Sequence, residues 1–267
     1  MYKILNKFLG SKYFDNLPRF LSRKIFKIFK IFFVETNLKN LPNQNHPTKI
    51  DKKNQTEIIK NNNNPLYRPF STCAYLLELL TLYQSINTNK IKFLDFGANN
   101  LDNYIYLNRY LKNWEYIYHD LSTYNEFVIE FIKEKKLNNI SVLHDINLIE
   151  QELDFIFFGS SIHYVNDYKE IIKKISKTQS KYIIFSHTPF YKSNNNDKDI
   201  VMKQVNIHPT INYAFLIQYK NFIKYMRENN YELISQNKNN FIKFLNFKNF
   251  RDFSFISFLD LFFKRIN

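Results

Sequence analysis

The chain has few of the residues and patterns that mark several large classes of protein. Its single cysteine, Cys73, has no second thiol for an internal disulfide and excludes a cysteine-rich zinc site, so no metal centre is predicted. No apolar run of about eighteen residues is free of charge, so no transmembrane helix is expected. The N-terminus lacks the long apolar stretch and small-residue cleavage site of a signal peptide. These absences together predict a cytoplasmic protein.

Glycine is also scarce, with three in 267 residues: Gly10, Gly97 and Gly159. A chain so poor in glycine should keep one where a side chain would obstruct or strain the backbone. Gly97 follows the apolar run 91–95, and Gly159 follows a second run at 154–158. Two strands that end in glycine and lead into helices predict the rim of an open α/β sheet, where ligands bind beyond the carboxyl ends of the strands.

Acidic residues are few at the start of the chain. The formal net charge is +14, and the first 70 residues hold 14 Lys or Arg against 4 Asp or Glu. One interpretation is a basic surface for an anionic partner. The other is compositional drift, because the abundance of Lys, Asn, Ile, Phe and Tyr is what an AT-rich coding sequence would impose. Nucleic acid is not predicted as a partner, since no aromatic stacking platform or known binding motif accompanies the charge.

Residues 18–34 have the pattern of a basic amphipathic helix, and Pro18 suits its first turn. One face holds Leu21, Ile25, Ile28, Phe29 and Phe32, and another holds Arg19, Arg23, Lys27 and Lys30. Such a helix can lie in a membrane interface, attracted by anionic headgroups. The alternative is a helix packed against the domain with its lysines solvated.

The sequence predicts four segments. A basic amphipathic leader spans 1–38, and an Asn-rich linker with three prolines spans 39–65. An α/β domain spans 66–248, and an aromatic helix spans 249–267. The final helix either packs on the domain or joins the leader at a membrane.

Strand and helix patterns alternate through the predicted domain. After a helix from Ser71 to about residue 87, strands are predicted at 90–96, 114–119, 139–144, 153–159 and 180–187. Helices are predicted at 101–112, 122–136, 165–177 and 213–229, with a loop at 189–210 and a final hairpin of strands at 231–236 and 240–247. This order indicates an α/β fold: a mostly parallel sheet with helices on both faces and an antiparallel C-terminal hairpin.

The order of elements and the turn Asp95-Phe-Gly97 resemble the class I S-adenosylmethionine-dependent methyltransferases, which have a Rossmann-like sheet. The resemblance implies S-adenosyl-L-methionine as cofactor, bound at Asp95 and Gly97. It implies that Asp120, after the second strand, holds the ribose hydroxyls. Asp145 would lie near the adenine, and Gly159 would end the fourth strand beside the site. Asp95 has an alternative role as a structural acid that holds its own turn.

A narrower resemblance covers residues 66–247. The chain is similar to a family of methyltransferases encoded among genes for surface-polysaccharide assembly of the O-antigen type. The similarity rests on the segments 187–190 (His-Thr-Pro-Phe), 201–204 and 212–215. It implies O-methylation of a saccharide or glycolipid, with Gln204 and Tyr213 as lid or acceptor contacts. The basic leader would hold such an enzyme near the inner membrane.

Histidine is the expected base for this chemistry. Methyl transfer from a sulfonium is a displacement in which alignment supplies much of the barrier reduction. A hydroxyl acceptor benefits from a general base whose pKa lies near neutrality. His187 is the first candidate and His163 the second, because both follow strands whose ends should face one crevice. The alternative for each is a histidine that hydrogen-bonds loop backbone.

Two departures from the family pattern support rival hypotheses. The family's cofactor turn carries two or three glycines, whereas here Gly97 is followed by Ala98 and then by the bulky Leu101. His187 stands where the narrower family has arginine. One rival is a degenerate methyltransferase fold that serves as a binding or scaffold protein at the membrane surface. The other is a peripheral membrane protein that acts mainly through its leader.

Overall fold

The computed structural model describes residues 2–36, 38–39, 41, 69, 75–99, 101–149, 152–193, 197–207, 211–239, 247, 249–250 and 253–266. Within them the helices are α1 (Tyr2–Leu9), α2 (Lys12–Asp15), α3 (Arg19–Phe29), α4 (Leu76–Ile86), α5 (Asp102–Leu107), α6 (Ser122–Lys135), α7 (Tyr168–Ser176) and α8 (Tyr219–Glu228). The strands are β1 (Phe33–Glu35), β2 (Ile91–Phe96), β3 (Trp114–His119), β4 (Ile140–Val142), β5 (Phe155–Gly159), β6 (Tyr182–Tyr191), β7 (Ile200–Gln204), β8 (Asn212–Gln218), β9 (Tyr231–Lys238) and β10 (Ile256–Arg265). Short 3₁₀ turns lie at Ile146–Leu148, Ile162–Tyr164 and Phe253–Phe255.

The main sheet has the strand order β4-β3-β2-β5-β6-β10-β9. Strands β2 to β6 pair in parallel, while β10 runs antiparallel to both β6 and β9. The predicted fold class is therefore confirmed: a Rossmann-like, mostly parallel sheet closed by an antiparallel C-terminal strand pair.

Helices cover both faces of this sheet, as the sequence predicts. One apolar cluster joins the strands to α7 and α8, and another joins them to α4, α5 and α6. Strands buried on both faces read as continuous apolar runs rather than alternating ones. The run Phe155–Phe158 follows this rule, with every side chain buried.

The C-terminal helix predicted at 249–267 is wrong, because Ile256–Arg265 is strand β10, which lies between β6 and β9. Leu259, Leu261 and Phe263 pack toward one apolar cluster, and Phe262 packs toward the other. A short apolar run buried on both sides cannot be told from a buried helix by periodicity alone. The hairpin strand predicted at 240–247 lies outside the described residues except for 247.

The region after β6 also differs from the prediction. The sequence predicts a loop at 189–210 and a helix at 213–229, but β6 extends to Tyr191, and β7 and β8 form an antiparallel ribbon before α8 begins at Tyr219. The apolar segment Asn212–Gln218 fits either a strand or a helix, and its pairing with β7 decides the outcome. The ribbon joins the main sheet where Phe190 and Tyr191 of β6 pair in parallel with β8.

The described part of the leader packs against this ribbon. Strand β1 pairs antiparallel with β7, and Leu9 and Phe14 share an apolar cluster with Val205. Lys203 of β7 is 3 % exposed, and its Nζ lies 2.5 Å from Oδ1 of Asp15 in α2. The helix predicted at 18–34 is wrong at its end, because only Arg19–Phe29 is helical and Phe33–Glu35 is strand β1. Ile25 and Phe29 pack against the apolar cluster that contains Val205, so the alternative of a helix packed on the domain holds for that part of its surface. The boundaries of the predicted segments at 38 and 65 remain predictions.

Candidate active site

The turn after β2 is built around Gly97, whose φ of +69° is rarely adopted by other residues. The backbone N–H groups of Gly97 and Ala98 donate to the carbonyl oxygen of His119 at 2.8 and 3.2 Å. A Cβ at position 97 would lie 2.5 Å from Cβ of Ser161, whose Oγ donates to the carbonyl of Phe96 at 2.6 Å. Gly97 is therefore required both by its backbone conformation and by the close approach of the loop after β5.

Asp120 lies beside this turn, as the resemblance implies. Its carboxylate accepts hydrogen bonds from the backbone N–H groups of Asn99 and Leu121. Asn99 has a φ of +56°, and its carbonyl accepts a 3.0 Å hydrogen bond from the Tyr118 hydroxyl. Asp120 is partly exposed, and its carboxylate holds the backbone two residues beyond Gly97.

Asp95 is fully buried beneath the turn. Its Oδ2 accepts hydrogen bonds from the Tyr116 hydroxyl at 2.5 Å and from Nδ2 of Asn103 at 2.8 Å. Burial raises the pKa of Asp95 to about 7 despite these two donors. Because Asn103 belongs to α5 and Tyr116 to β3, Asp95 ties that helix to the sheet, and this favours the structural role that the sequence left open.

Asp145 is exposed at the end of β4. Its Oδ1 accepts hydrogen bonds from the backbone N–H of Asn147 at 2.9 Å and from Nδ2 of the same residue at 2.8 Å. These hydrogen bonds hold the pKa of Asp145 below its usual value. Asp145 therefore caps the 3₁₀ turn Ile146–Leu148.

Leu101 is 3 % exposed and belongs to the apolar cluster under α5, which also contains Ala98 and Tyr104. The bulky side chain of Leu101 therefore contributes to the packing of α5.

Strand β6 contains a β-bulge that the sequence did not predict. Ser186 and His187 lie opposite a single residue of β10, Asp260, and the register shifts there. The pairs on either side are Thr188 with Leu259 and Phe185 with Leu261. His187 has a φ of +51°, which for a residue other than glycine costs on the order of 1–3 kcal/mol. The predicted strand end at His187 is therefore wrong, and His187 lies inside β6 at the bulge.

Asp260 accepts hydrogen bonds from the polar groups of the bulge and is itself only 3 % exposed. Its Oδ1 accepts the backbone N–H of His187 at 2.9 Å and the hydroxyl of Ser186 at 3.1 Å. Nδ2 of Asn239 donates to the same oxygen at 3.2 Å. Oγ of Ser186 lies 2.9 Å from Nδ1 of His187. Sequence reasoning missed Asp260, although a carboxylate inside the apolar run 255–263 was a signal.

His163 lies in the 3₁₀ turn after β5, which ends at Gly159, and is 1 % exposed. Its Nδ1 has no hydrogen-bond partner among the described residues. Burial, with a smaller contribution from nearby His187, lowers the pKa of His163 to about 3, so the imidazole is neutral near pH 7.

The two residues predicted to contact the acceptor lie on opposite faces of the β7–β8 ribbon. Oε1 of Gln204 accepts a 3.0 Å hydrogen bond from the hydroxyl of Tyr164. Tyr213 pairs with Lys203, the neighbour of Gln204, and successive side chains of a strand point to opposite faces. The structure therefore brings Gln204, but not Tyr213, toward the 3₁₀ turn that holds His163.

Two groups of polar residues result at the carboxyl ends of the strands. Across the described ranges, no cluster of three or more His, Cys, Asp or Glu side chains could hold a metal ion. The turn group consists of Gly97, Asn99 and Asp120, and the bulge group consists of His163, Ser186, His187 and Asp260.

Comparison with known proteins identifies the fold. No family model matches the chain, and no curated protein matches its sequence. Among solved structures, the [4+2]-cyclase SpnF matches with a TM-score of 0.50 and 8 % identity over 86 % of this chain and 99 % of that one.

Two further structures are methyltransferases or carry the demethylated cofactor. The 1,6-didemethyltoxoflavin-N1-methyltransferase of Burkholderia thailandensis, crystallised with 1,6-didemethyltoxoflavin and S-adenosylhomocysteine, matches at TM-score 0.48 and 8 % identity, covering 88 % of this chain and 100 % of that one. The N-terminal domain of EvdMO1, crystallised with S-adenosylhomocysteine and D-fucose, matches at 0.49 and 11 %, covering 83 % and 100 %. The likeness to SpnF at 8 % identity shows a shared fold alone, and a fold does not determine the reaction.

Proposed function

We propose that the protein is an S-adenosylmethionine-dependent methyltransferase that O-methylates a saccharide or glycolipid intermediate of surface-polysaccharide assembly. The observation that carries the proposal is the position of Asp120 beside the Gly97 turn. In Rossmann-like folds, the acid after the second strand binds the ribose hydroxyls of the cofactor at this place.

The residues at the turn fit the adenosyl part of the cofactor. Each oxygen of a carboxylate has two lone pairs, so Asp120 can accept ribose hydroxyls while keeping the backbone N–H groups of Asn99 and Leu121. The exposed Asp145 is available to the adenine amino group. When bound, the cofactor supplies a methyl group activated by its sulfonium.

The acceptor hydroxyl requires a base, and His187 is the proposed one. Its ring is buried inside β6, level with the end of β5, and water is therefore largely excluded from it. His163 is the second candidate and is neutral near pH 7, but its pKa of about 3 makes it a weak base. Gln204 is the proposed acceptor contact because it reaches Tyr164 beside His163, whereas Tyr213 lies on the opposite face of the ribbon.

Transfer of a radiolabelled methyl group tests this function. The full chain is incubated with methyl-labelled S-adenosylmethionine and a fraction of lipid-linked saccharides. We expect label in the saccharide, with at least a hundredfold loss in His187→Ala, because a general base contributes about 10²–10⁴ in rate. Glu134→Gln, on the exposed face of α6, is the matched control and should retain activity. Label that never leaves the cofactor would contradict the proposal.

One observation favours the rival scaffold function. Ser161 packs so close to Gly97 that a Cβ at position 97 would lie 2.5 Å from the Cβ of Ser161. A protein with this role would bind neither S-adenosylmethionine nor its demethylated product, so a binding measurement separates the two functions.

The leader supports a second proposal, that the protein binds an anionic membrane surface at the inner membrane. In the described part of the chain, no helix combines the length and apolar character needed to cross a bilayer. Ile25 and Phe29 of the predicted apolar face pack into the leader's own cluster. Phe20 and Ile28 remain 61 % and 72 % exposed, however, among exposed basic residues of α3. Exposed apolar side chains surrounded by lysine and arginine are typical of interfacial helices.

Vesicle flotation tests this second proposal. The full chain should float with phosphatidylglycerol-containing vesicles and much less with pure phosphatidylcholine, because basic residues near an anionic surface each contribute about 1 kcal/mol. The double variant Phe20→Ser, Ile28→Ser should lose most flotation. Leu82→Ser, which removes an equally exposed apolar side chain from α4, is the control. Equal flotation of both variants would contradict the proposal.

A further inference from the structure

The bulge in β6 places a serine between a buried carboxylate and a histidine ring. Oδ1 of Asp260 is 3.1 Å from Oγ of Ser186, which is 2.9 Å from Nδ1 of His187. All three residues are almost completely buried. The low dielectric of such a site strengthens each hydrogen bond and makes an unsatisfied polar atom costly.

The positions of the protons in this row of hydrogen bonds can be assigned by counting donors. An ionised carboxylate only accepts hydrogen bonds, and a serine hydroxyl has a single proton to donate. If Ser186 donates that proton to Asp260, its Oγ is left as an acceptor toward His187. Nδ1 of His187 must then carry a hydrogen. The reverse arrangement turns the serine proton toward Nδ1 and deprives the buried carboxylate of a donor.

We propose that Asp260, acting through Ser186, holds His187 in the tautomer protonated at Nδ1, which leaves the lone pair on Nε2. Asp260 is in this sense a positioning residue for His187. The use of Nε2 as a base toward an acceptor hydroxyl rests on the proposed function, whereas the tautomer does not.

The backbone of the bulge reinforces the arrangement. The N–H of His187 donates to the same Oδ1 of Asp260 at 2.9 Å, so one carboxylate oxygen holds both the main chain and the side chain. A left-handed φ at His187 persists only where surrounding contacts enforce it. Bulges often redirect a side chain beside an active site, and this one turns His187 toward Ser186.

Two ionisable groups act on His187 from neighbouring elements. Asp260 of β10 reaches its ring through Ser186, and His163 in the turn after β5 is neutral near pH 7.

Nitrogen NMR of the histidine rings tests the tautomer directly. With the full chain labelled at histidine nitrogens and no cofactor added, His187 should show a protonated-type shift at Nδ1 and an unprotonated-type shift at Nε2. Ser186→Ala and Asp260→Asn should each shift the population toward the Nε2-protonated form by at least threefold. Asp199→Asn is the matched control, since Asp199 also accepts a backbone N–H and a hydroxyl but belongs to a different loop.

The outcomes separate this inference from the proposed function. A wild-type ring protonated at Nε2, or a tautomer unchanged in both Ser186→Ala and Asp260→Asn, would overturn it. If Asp260→Asn fails to fold, Ser186→Ala alone decides. A correct tautomer in a protein that transfers no methyl group would refute the proposed function and leave this inference standing.

Discussion

The turn group and the bulge group lie at the same edge of the sheet but differ in how they are held. In the turn group, the backbone N–H groups of residues 97–99 all donate to acceptors at the end of β3. In the bulge group, a strained backbone at His187 and buried polar side chains are held together by Asp260. The first arrangement belongs to the fold. The second adds features that a Rossmann-like sheet does not need, and the proposed general base, His187, comes from it.

The two regions also contain buried groups whose protonation has opposite effects on stability. Asp95, beneath the turn group, has a pKa raised to about 7, so the folded state binds its proton more tightly than the unfolded state does. The free energy of unfolding that Asp95 contributes therefore falls as pH rises from about 4 to 7. His163 has a pKa lowered to about 3, so its contribution lowers stability as pH falls below about 6.5. Between about pH 4 and 6.5 the opposite pH dependences of Asp95 and His163 nearly cancel in the total free energy of unfolding.

Removing the Asp95 carboxylate should have the largest effect. Asp95→Asn keeps an acceptor for Tyr116 and Asn103 but cannot ionise. The free energy of unfolding of the variant relative to wild type should rise by on the order of 4 kcal/mol from pH 4 to pH 8, because each pKa unit is worth about 1.4 kcal/mol. Urea unfolding across this pH range measures the difference, and parallel pH profiles for the two proteins would refute it.

Replacing His163 should change the pH dependence of the unfolding free energy in the opposite direction. His163→Gln removes the group whose protonation is disfavoured on folding. Relative to wild type, the variant should gain about 3 kcal/mol of unfolding free energy between pH 6.5 and pH 4. The control is His144→Gln, the same substitution at an exposed histidine. A His163 variant that loses stability in acid as steeply as wild type would show that this residue does not titrate as described.

Gly97→Ala tests the close contact at the turn. Strain at φ +69° and the 2.5 Å approach to Ser161 should together cost about 2 kcal/mol of unfolding free energy. In a Ser161→Gly background the contact is removed but the strain remains, so the cost of Gly97→Ala should fall to about half. An unchanged cost in that background would show that the contact with Ser161 contributes nothing.

Substitutions at Asn99, in the same turn, should have the smallest effect on stability. Its φ of +56° suits asparagine and glycine better than alanine. Asn99→Ala should cost about 1 kcal/mol of unfolding free energy, whereas Asn99→Gly should change it by no more than about 0.5 kcal/mol. Equal effects of the two substitutions would indicate that the backbone conformation at this position is not strained.

The sequence predicted a site at Gly97 and Asp120, and it named His163 and His187 as candidate bases. It did not predict the bulge that joins His187 to Ser186 and Asp260, and the reason is physical. Gly97 and Asp120 follow directly on parallel strands, so local apolar runs and their ends were enough to place them. The bulge depends on β10, whose Asp260 is 73 residues beyond His187. Pairing over that separation leaves no local periodicity, and a strand buried on both faces resembles a buried helix. His187 itself was chosen for its chemistry, while its strained conformation was visible only in the fold.

Calorimetric titration of the full chain with S-adenosylhomocysteine tests the central claim, that the turn group is a cofactor site. We expect saturable binding that weakens about 10- to 100-fold in Asp120→Ala, since hydrogen bonds to a charged group contribute about 1.5–3 kcal/mol. The affinity of the control Glu134→Gln should equal that of the wild type. Absence of heat at millimolar ligand, or equal affinity of wild type and Asp120→Ala, would contradict the account.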